Sequence, residues 1–150
     1  MYIKRHTKNT KEFVPKNPQK YIGKYPILVR SSWERLFYQW CDVNPAIDKW
    51  SSESVEIKYQ DPTTLHKGKP ALRRYYPDVY METGGRKYLI EIKPYRETRP
   101  PRRGKKSKNT LMERQLMYAR NAAKFKAASD YCKKMGMEFK VLTEKELFNK

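Results

Sequence analysis

The sequence has few acidic residues: 16 Asp and Glu face 34 Lys and Arg, which gives a formal net charge of +18. A surplus this large attracts polyanions and disfavours neutral or cationic partners. It is also uneven, because residues 1–30 carry a surplus of seven positive charges and residues 96–108 a surplus of six. Such runs can be mere solvated surface, but Tyr2, Phe13, Tyr21 and Tyr25 interleave the first. The charge therefore predicts a nucleic-acid partner.

Cysteine, histidine and long apolar runs are also scarce. Cys41 and Cys132, with only His6 and His66 for company, do not make a zinc site and are expected to be reduced core residues. No apolar run approaches the roughly 18 residues that span a bilayer, and no signal-peptide pattern opens the chain. We expect a soluble, intracellular protein with no membrane partner.

The length of 150 residues fits one domain, and 38% hydrophobic residues indicate a modest core. Residues 1–30 lack periodicity and contain three prolines, which predicts an extended basic arm. Residues 31–150 are expected to form the domain, with a basic flexible loop at 96–108.

Helical spacing of apolar residues predicts a first helix that begins at Ser31 and ends at Asn44-Pro45. Its apolar stripe consists of Trp33, Leu36, Phe37, Trp40 and Cys41. A strand with period-two alternation follows at 53–60, then a polar loop at 61–70.

The second half contains a hairpin, a long helix, a strand and a short helix. The hairpin strands are expected near 73–82 and 87–94. A capping box at Thr110 and Glu113 begins a helix that Gly136 ends. Residues 137–142 read as a strand, and Thr143 with Glu146 caps the last helix. The long crossover requires a parallel last strand, so the fold class is α/β with a mixed sheet.

The hairpin carries the most informative charges. If Gly84-Gly85 form its two-residue turn, Asp78 lies directly opposite Glu91, and Lys93 points to the same face as Glu91. The other face is apolar and is expected to enter the core; it carries Val79, Met81, Ile90 and Ile92. One face is built for packing while the other gathers charge.

Two facing carboxylates repel, so they should share a proton or bind a cation. Carboxylate oxygens suit Mg²⁺, which keeps positions for water and substrate phosphate. Lys93 could then offset charge that develops on phosphorus. The alternative is that Asp78 is a strand-edge residue and that Glu91 and Lys93 form solvent-facing pairs.

Pro77-Asp78 followed by Glu91-Ile92-Lys93, on strands preceded by a helix with a glutamate, resembles the PD-(D/E)xK nuclease superfamily. The helix, three strands, helix, strand order is that superfamily's restriction-endonuclease-like core. The stretches YPILVRSSWERLF, VNPAIDKWSSESVEIKY, RRYYPDVYME and KYLIEIKPYRETRPP look like the head completion nucleases of T-even-type tailed bacteriophages. More distantly, they look like TnsA-type transposon endonucleases.

The resemblance implies that Asp78, Glu91 and the Ile92 carbonyl bind metal, that Lys93 is the catalytic lysine, and that Glu34 completes the metal site. For Glu34 a second interpretation is open, because Ser31-Ser-Trp-Glu34 is also a capping box.

Other positions are expected to support the site or contact DNA. Gln115 and Tyr118 resemble supporting residues of some relatives, and Glu53 is either a residue that supports the metal ligands or a cap. Phosphate contacts are expected from Arg73, Arg74, Arg102, Arg103, Lys105, Lys106, Lys4 and Arg5. Exposed surface arginine is the alternative for Arg73, Arg74, Arg102 and Arg103.

The resemblance implies a Mg²⁺-dependent DNA nuclease, with Mn²⁺ as a substitute, that trims or cuts phage DNA ends before tail joining. Its implied setting is the cytoplasm of the infected bacterial host or the virion, with phage head or neck proteins as further partners. Alternatives are a transposon-type or junction-resolving endonuclease, or a non-catalytic DNA-binding head completion protein. An endonuclease is favoured, although the sequence leaves open endo or exo cleavage, the DNA preference, the number of metal ions and the oligomeric state.

Overall fold

The computed structural model describes residues 11–148, which form eight strands and three α-helices. The strands are β1 Lys11–Phe13, β2 Ile27–Val29, β3 Lys49–Ser52, β4 Ile57–His66, β5 Lys69–Tyr75, β6 Val79–Thr83, β7 Arg86–Ile92 and β8 Glu138–Leu142. The helices are α1 Ser32–Val43, α2 Lys108–Met135 and α3 Glu144–Leu147. Short 3₁₀ turns lie at Pro18–Lys20 and Tyr95–Thr98.

A four-stranded mixed sheet, in the order β3-β6-β7-β8, forms the centre of the fold. The β3–β6 and β6–β7 pairs are antiparallel, whereas β8 runs parallel to β7. The parallel pair follows from the crossover through the 28-residue helix α2. The predicted mixed α/β sheet is confirmed.

The first strand of this sheet differs from the prediction. The alternating segment at 53–60 does contain a strand, but it belongs to β4, which pairs with β5 in a separate two-stranded ribbon. The predicted polar loop at 61–70 is wrong, because the ribbon turns at Lys67-Gly68. The sheet instead begins with β3, in which Trp50 and Ser51 are buried. The sequence of β3, Lys-Trp-Ser-Ser, lacks the alternation of apolar and polar residues that predicts a strand.

The predicted hairpin strand at 73–82 is interrupted in the structure. Residues up to Tyr75 pair with β4, and residues from Val79 pair with β7. Pro77 lies between the two pairings. Because proline has no backbone N–H to donate, it favours such an interruption. Asp78 therefore follows the break and immediately precedes β6.

Both faces of the sheet are covered. Val79 and Ile90, together with Met81, pack on one face against Tyr38 and Trp50, and Ile92 lies against the same cluster. This confirms the predicted apolar face. The opposite face packs against α2, where Leu89 meets Ala128 and Cys132. Cys41 and Cys132 are buried and reduced, as predicted.

The predicted extended arm over residues 1–30 is wrong from Lys11 onward. Strands β1 and β2 pair with each other, and Phe13, Tyr21 and Ile27 join the core cluster that contains Trp50. The apolar residues in this stretch show no regular period, yet Phe13, Tyr21 and Ile27 are buried by contacts with distant residues, whereas Val14, Ile22 and Tyr25 stay exposed. Residues 1–10 lie outside the described part of the chain.

This N-terminal segment is fastened to the end of α1. The Asp42 carboxylate, which is 2% exposed, accepts hydrogen bonds from Lys16 N at 2.7 Å and Asn17 N at 2.9 Å. Lys20 Nζ donates to three carbonyl oxygens at the helix end, at distances between 2.7 and 3.1 Å; they belong to Cys41, Asp42 and Asn44. A cation at the negative end of a helix is favourable, and these carbonyls lack intrahelical partners.

We expect Lys20→Met to lower the free energy of unfolding by about 1–2 kcal/mol, because it removes a charged donor from partly buried carbonyls. Urea denaturation followed by circular dichroism measures this. Lys24→Met, at an exposed lysine of the same segment, is the control. Equal stabilities of the two variants would contradict the role of Lys20.

Helix α1 buries a different face from the predicted stripe. Phe37 and Cys41 are buried as expected, but Leu36 and Trp40 are exposed, and Tyr38 and Asp42 take their places inside. The exchange follows from the N-terminal segment and β3, which contact the Tyr38 side of the helix and supply polar partners for it. Neither contact can be read from helical periodicity.

Helix α2 begins one turn before the predicted capping box. Its N-cap is Ser107, whose hydroxyl accepts a hydrogen bond from Thr110 N at 3.1 Å, so Thr110 lies inside the first turn. At the other end, Gly136 caps the helix with φ of 71°, as predicted. The predicted capping box of Thr143 and Glu146 is also confirmed. No helix within residues 11–148 has the length and apolar character needed to cross a membrane.

Candidate active site

The register of the hairpin is the predicted one. Val79 pairs with Ile90 and Thr83 pairs with Arg86, across a turn in which Gly84 and Gly85 have φ of 56° and 78°. Two successive positive φ values are typical of the two-residue turns that twist with the strands. The register brings Asp78 and Glu91 together immediately beyond the Val79–Ile90 pair.

Asp78 lies at the centre of the charged end of the hairpin. Its Oδ2 accepts a hydrogen bond from Ile92 N at 2.7 Å, and its carbonyl oxygen accepts one from Glu53 N at 3.0 Å. Burial, followed by the nearby charges of Glu91 and Glu34, raises the pKa of Asp78 well above its ordinary value. Concentrated negative charge of this kind is relieved by a proton or by a cation.

Glu91 is buried and engaged on both oxygens. Tyr75 donates its hydroxyl to Glu91 Oε1 at 2.8 Å, and Lys93 Nζ lies 3.2 Å from Glu91 Oε2. Burial and the Glu91 charge raise the pKa of Tyr75, which keeps this hydroxyl protonated. Burial alone would lower the pKa of Lys93, but the contact with Glu91 outweighs it and the pKa is raised. Lys93 is therefore held as a cation beside both carboxylates.

Glu34 faces the charged cleft while Ser31 caps the helix. Glu34 N donates to Ser31 Oγ at 3.1 Å, so the Ser31 side chain caps the helix, as one of the two interpretations expected. Its carboxylate accepts weak hydrogen bonds of 3.4 Å from Ser31 Oγ and from the Tyr38 hydroxyl. Tyr38 in turn lies 2.9 Å from Ser52 Oγ, so the end of β3 helps to position the Glu34 side chain.

Glu53 occupies the loop directly after β3. It is buried, has φ of 46°, and lies 3.7 Å from Arg30. Positive φ costs a β-carbon-bearing residue energy and is found where surrounding contacts enforce it. The hydrogen bond from Glu53 N to the Asp78 carbonyl is one such contact. The sequence left Glu53 open between two roles; the structure places its carboxylate in the cleft.

Three carboxylates meet in this cleft. Glu34, Glu53 and Asp78 each offer an oxygen, and these oxygens lie within 4.8 Å of one another. Oxygens around an octahedral Mg²⁺ at about 2.1 Å are at most about 4.2 Å apart. Small side-chain rotations would close the difference, and hard carboxylate oxygens are the donors that Mg²⁺ prefers. The donor set therefore fits a divalent cation.

Lys124 is a second cation near the site, and no pattern in the sequence predicts it. It projects from α2, half-buried, with Nζ 5.6 Å from the centre of the Tyr75 ring and 5.9 Å from that of Tyr59. Burial and the charge of Lys93 lower the pKa of Lys124. Helical spacing places Lys124 among many exposed lysines, so only tertiary packing distinguishes it.

The two predicted supporting residues on α2, Gln115 and Tyr118, have different environments in the structure. Gln115 is exposed, whereas the half-buried Tyr118 lines a cavity beside the 3₁₀ turn that follows Lys93. Arg102 and Lys106 line the same cavity, and Arg103 and Lys105 are exposed on the adjoining loop. Gln115 stays a prediction without a contact that supports it.

The predicted phosphate contacts on β5 have protein partners. Arg73 Nε lies 3.0 Å from Asp61 Oδ2, and Arg74 Nε lies 3.1 Å from Glu56 Oε1. Both guanidinium groups remain about half or more exposed, so a phosphate could still reach them. Lys4 and Arg5 lie outside the described residues.

Comparison with known proteins agrees with this geometry. Residues 44–144 match the family described as the TnsA-like endonuclease N-terminal domain. The head completion nuclease of Enterobacteria phage T4 is 37% identical over 139 residues, which cover 89% of this chain and 89% of that protein. No solved structure matches the chain significantly. These matches confirm the sequence resemblance and the restriction-endonuclease-like α/β fold, and the chain belongs to the TnsA-like endonuclease family.

Proposed function

We propose that this protein is a Mg²⁺-dependent DNA nuclease that cuts or trims the ends of phage DNA during head completion, before tail joining. The observation that carries the proposal is the meeting of the Glu34, Glu53 and Asp78 carboxylates at the end of the hairpin that also presents Lys93. Family membership and the net charge of +18 both favour DNA as the substrate.

Within this proposal, Asp78, Glu34 and Glu53 hold the cation, and the Ile92 carbonyl and Glu91 complete the set that the family resemblance implies. A divalent cation bound there would act as a Lewis acid on a phosphodiester. Mn²⁺, another hard cation of octahedral preference, would replace Mg²⁺.

In this proposal, the Lys93 ammonium group stabilises the negative charge that develops on the phosphoryl oxygens. This group is half-buried and is held by Glu91, so it is oriented before the substrate arrives. Preorganised donors of this kind contribute about 10²–10³-fold to a reaction rate. Tyr75 fixes Glu91 from the other side, and the Glu91 carboxylate thereby acts as the anchor for Lys93.

The biological setting follows from the relative. The T4 protein is named a head completion nuclease, and the similarity covers 89% of each chain. We infer that this chain acts in the cytoplasm of an infected bacterium, on DNA at the opening of a filled head. Phage head or neck proteins would then be its partners.

Cleavage assays with Lys93→Met test the proposal. Linear and closed circular DNA are incubated with the protein in Mg²⁺, in Mn²⁺ and in EDTA. The wild type is expected to cut in both metals but not in EDTA, and Lys93→Met to cut about 10²–10³-fold more slowly. Cutting of closed circles would identify endonuclease activity.

Lys87→Met is the matched control, because Lys87 lies on the same strand β7 and is exposed. It is expected to cut like the wild type. Cutting by the wild type in EDTA, or equal rates for the two lysine variants, would contradict the proposal.

A further inference from the structure

A cavity of about 1000 Å³ opens beside the candidate active site, between α2 and the loop that follows Lys93. Its floor on the helix side includes Tyr118 and Asn121, and its other wall begins at Tyr95, two residues after Lys93. Ligand pockets usually measure about 300–1000 Å³. This cavity is thus large enough for a short piece of one nucleic-acid strand and too small for a duplex.

The cavity is strongly basic. Five cationic side chains line it against a single carboxylate, that of Glu97; the cations are Arg96, Arg99, Arg102, Lys106 and Arg114. Lys106 Nζ donates to the Arg102 carbonyl at 2.7 Å, which joins two of the residues that line the cavity. Such a concentration of charge fits a ligand with several negative charges.

The cavity also offers flat and apolar surfaces. Arg99 stacks over the Tyr95 ring at 4.9 Å and donates from Nε to the Tyr95 hydroxyl at 2.9 Å. Tyr118 and Met117 line the helix side. Grooves that bind single strands combine rings, on which bases stack, with cations that follow the phosphates. Tyr118 supplies the ring here, because Arg99 and Lys145 lie over the ring of Tyr95. A site for inorganic phosphate alone would not need this ring.

Asn121 adds a hydrogen-bonding group to the cavity. Its side chain lines the cavity although the residue is only 5% exposed. A buried amide needs hydrogen-bond partners, and an unpaired base edge offers both a donor and an acceptor. Base edges of this kind are exposed only where a strand is not paired.

Helix α2 connects the cavity to the active site. Lys124, one turn after Asn121, lies over the Tyr75 ring, and the Tyr75 hydroxyl donates to Glu91. On the other side, Lys93 leads through Pro94 directly to Tyr95. A strand that leaves the active site along α2 therefore enters the cavity.

We infer that this cavity binds the unpaired strand of a DNA end, a single-stranded overhang next to the phosphodiester that is cut. The inference rests on the proposed nuclease function, because it places the overhang relative to the catalytic cleft. It assigns Tyr118 to base stacking and Arg114 to a phosphate of the overhang.

Fluorescence anisotropy of the full chain in EDTA tests the inference without cleavage. The probes are a blunt duplex and the same duplex with an overhang of about eight thymidines, a length within the range of single-strand sites. Wild type is expected to prefer the overhang. Tyr118→Leu should weaken overhang binding by about tenfold and leave blunt binding unchanged, because it removes one stacking surface but keeps an apolar side chain.

Arg114→Ala supplies a second test at an exposed position of α2, where the substitution does not alter the core. It should reduce the slope of log affinity against log salt for the overhang by about 0.7, the value for one phosphate of a single strand. Lys133→Ala, which removes an exposed cation from the last turn of the same helix, is the matched control and should leave the slope unchanged.

Equal affinity of the wild type for the two probes, or equal losses on both with Tyr118→Leu, would overturn the inference. Its failure is distinguishable from failure of the proposed function. A protein that cuts DNA in Mg²⁺ but ignores the overhang refutes only the cavity assignment, whereas one that prefers the overhang but never cuts refutes only the nuclease.

Discussion

Replacing Asp78 with asparagine is expected to reduce DNA cleavage by at least about 10³-fold, the largest loss that any single substitution here should cause. Asp78 lies between the carboxylates of Glu34 and Glu53 on one side and the Glu91–Lys93 pair on the other. Its carboxylate lies with those of Glu34 and Glu53 in one cluster, and its Oδ2 accepts a hydrogen bond from Ile92 N at 2.7 Å. The asparagine oxygen can still accept that hydrogen bond, but as a neutral group it is a weaker ligand for a cation than a carboxylate.

The same variant should lose metal affinity without losing stability. Isothermal titration with Mn²⁺ is expected to show binding to the wild type and little to Asp78→Asn. Because burial and two neighbouring carboxylates raise the pKa of Asp78, its ionised form opposes folding at neutral pH. The thermal midpoint of Asp78→Asn in EDTA should therefore equal or exceed that of the wild type.

Asp48→Asn is the matched control for this experiment. Asp48 is exposed near the turn of the same hairpin, where its Oδ2 accepts a hydrogen bond from Gly84 N at 3.1 Å. Asparagine preserves that acceptor, so cleavage and metal binding should be unchanged. Cleavage by Asp78→Asn within tenfold of the wild type would refute the assignment of Asp78.

Asp61→Ala is expected to cause the largest loss of stability, about 2–3 kcal/mol in the free energy of unfolding. Asp61 belongs to β4, opposite Ala71 of β5, and its side chain is fully buried. Its carboxylate accepts hydrogen bonds from Thr63 N and the Thr63 hydroxyl at 2.8 and 2.6 Å, and lies 3.0 Å from Arg73 and 3.3 Å from Arg120. Since both guanidinium groups are about half-exposed, the cost stays below that of a fully enclosed ion pair.

The pH dependence of stability provides a second measurement on Asp61. Burial alone would raise the pKa of Asp61, but the hydrogen bonds from Thr63 and the charge of Arg120 outweigh it and lower the pKa. A carboxyl whose pKa is lower in the folded state stabilises the fold above its unfolded pKa and loses that contribution as the pH falls. Urea denaturation of the wild type should show this loss below about pH 4, and Asp61→Ala should show less of it.

Asp130→Ala is the comparison for this variant. Asp130 is exposed on α2 and pairs with Lys126 at 2.8 Å. Exposed pairs of this kind contribute little to stability, because both groups stay solvated. A loss for Asp61→Ala no greater than that for Asp130→Ala would show that the ribbon network adds nothing to stability.

The elements that could be predicted are those whose causes are local. Gly84 and Gly85 fix the hairpin register because a two-residue turn permits one pairing, so the approach of Asp78 to Glu91 could be counted along the chain. Gly136 and the box of Thr143 and Glu146 likewise act within one turn of helix. The family resemblance favoured Glu34 as a further member of the candidate site.

The elements that could not be predicted have distant causes. Strand β3 has no period of its own, and Trp50 is buried because Phe13 and Tyr21 reach it from the N-terminal segment. The face of α1 was misjudged for the same reason. Tyr38 is more polar than Trp40, but its hydroxyl finds a hydrogen-bond partner inside the protein, the Ser52 hydroxyl.

By itself, the sequence determined the charge that attracts DNA, the hairpin register and the Asp78, Glu91 and Lys93 set, because net charge and turn geometry depend on residues close in the chain. Only the tertiary structure decided that Glu53 joins Glu34 and Asp78, and that Lys124 and the cavity of Tyr118 and Asn121 lie beside Lys93. The physical reason is that these side chains come from α1, the end of β3 and α2. Packing on the two faces of one sheet sets their separation, and no local pattern encodes it.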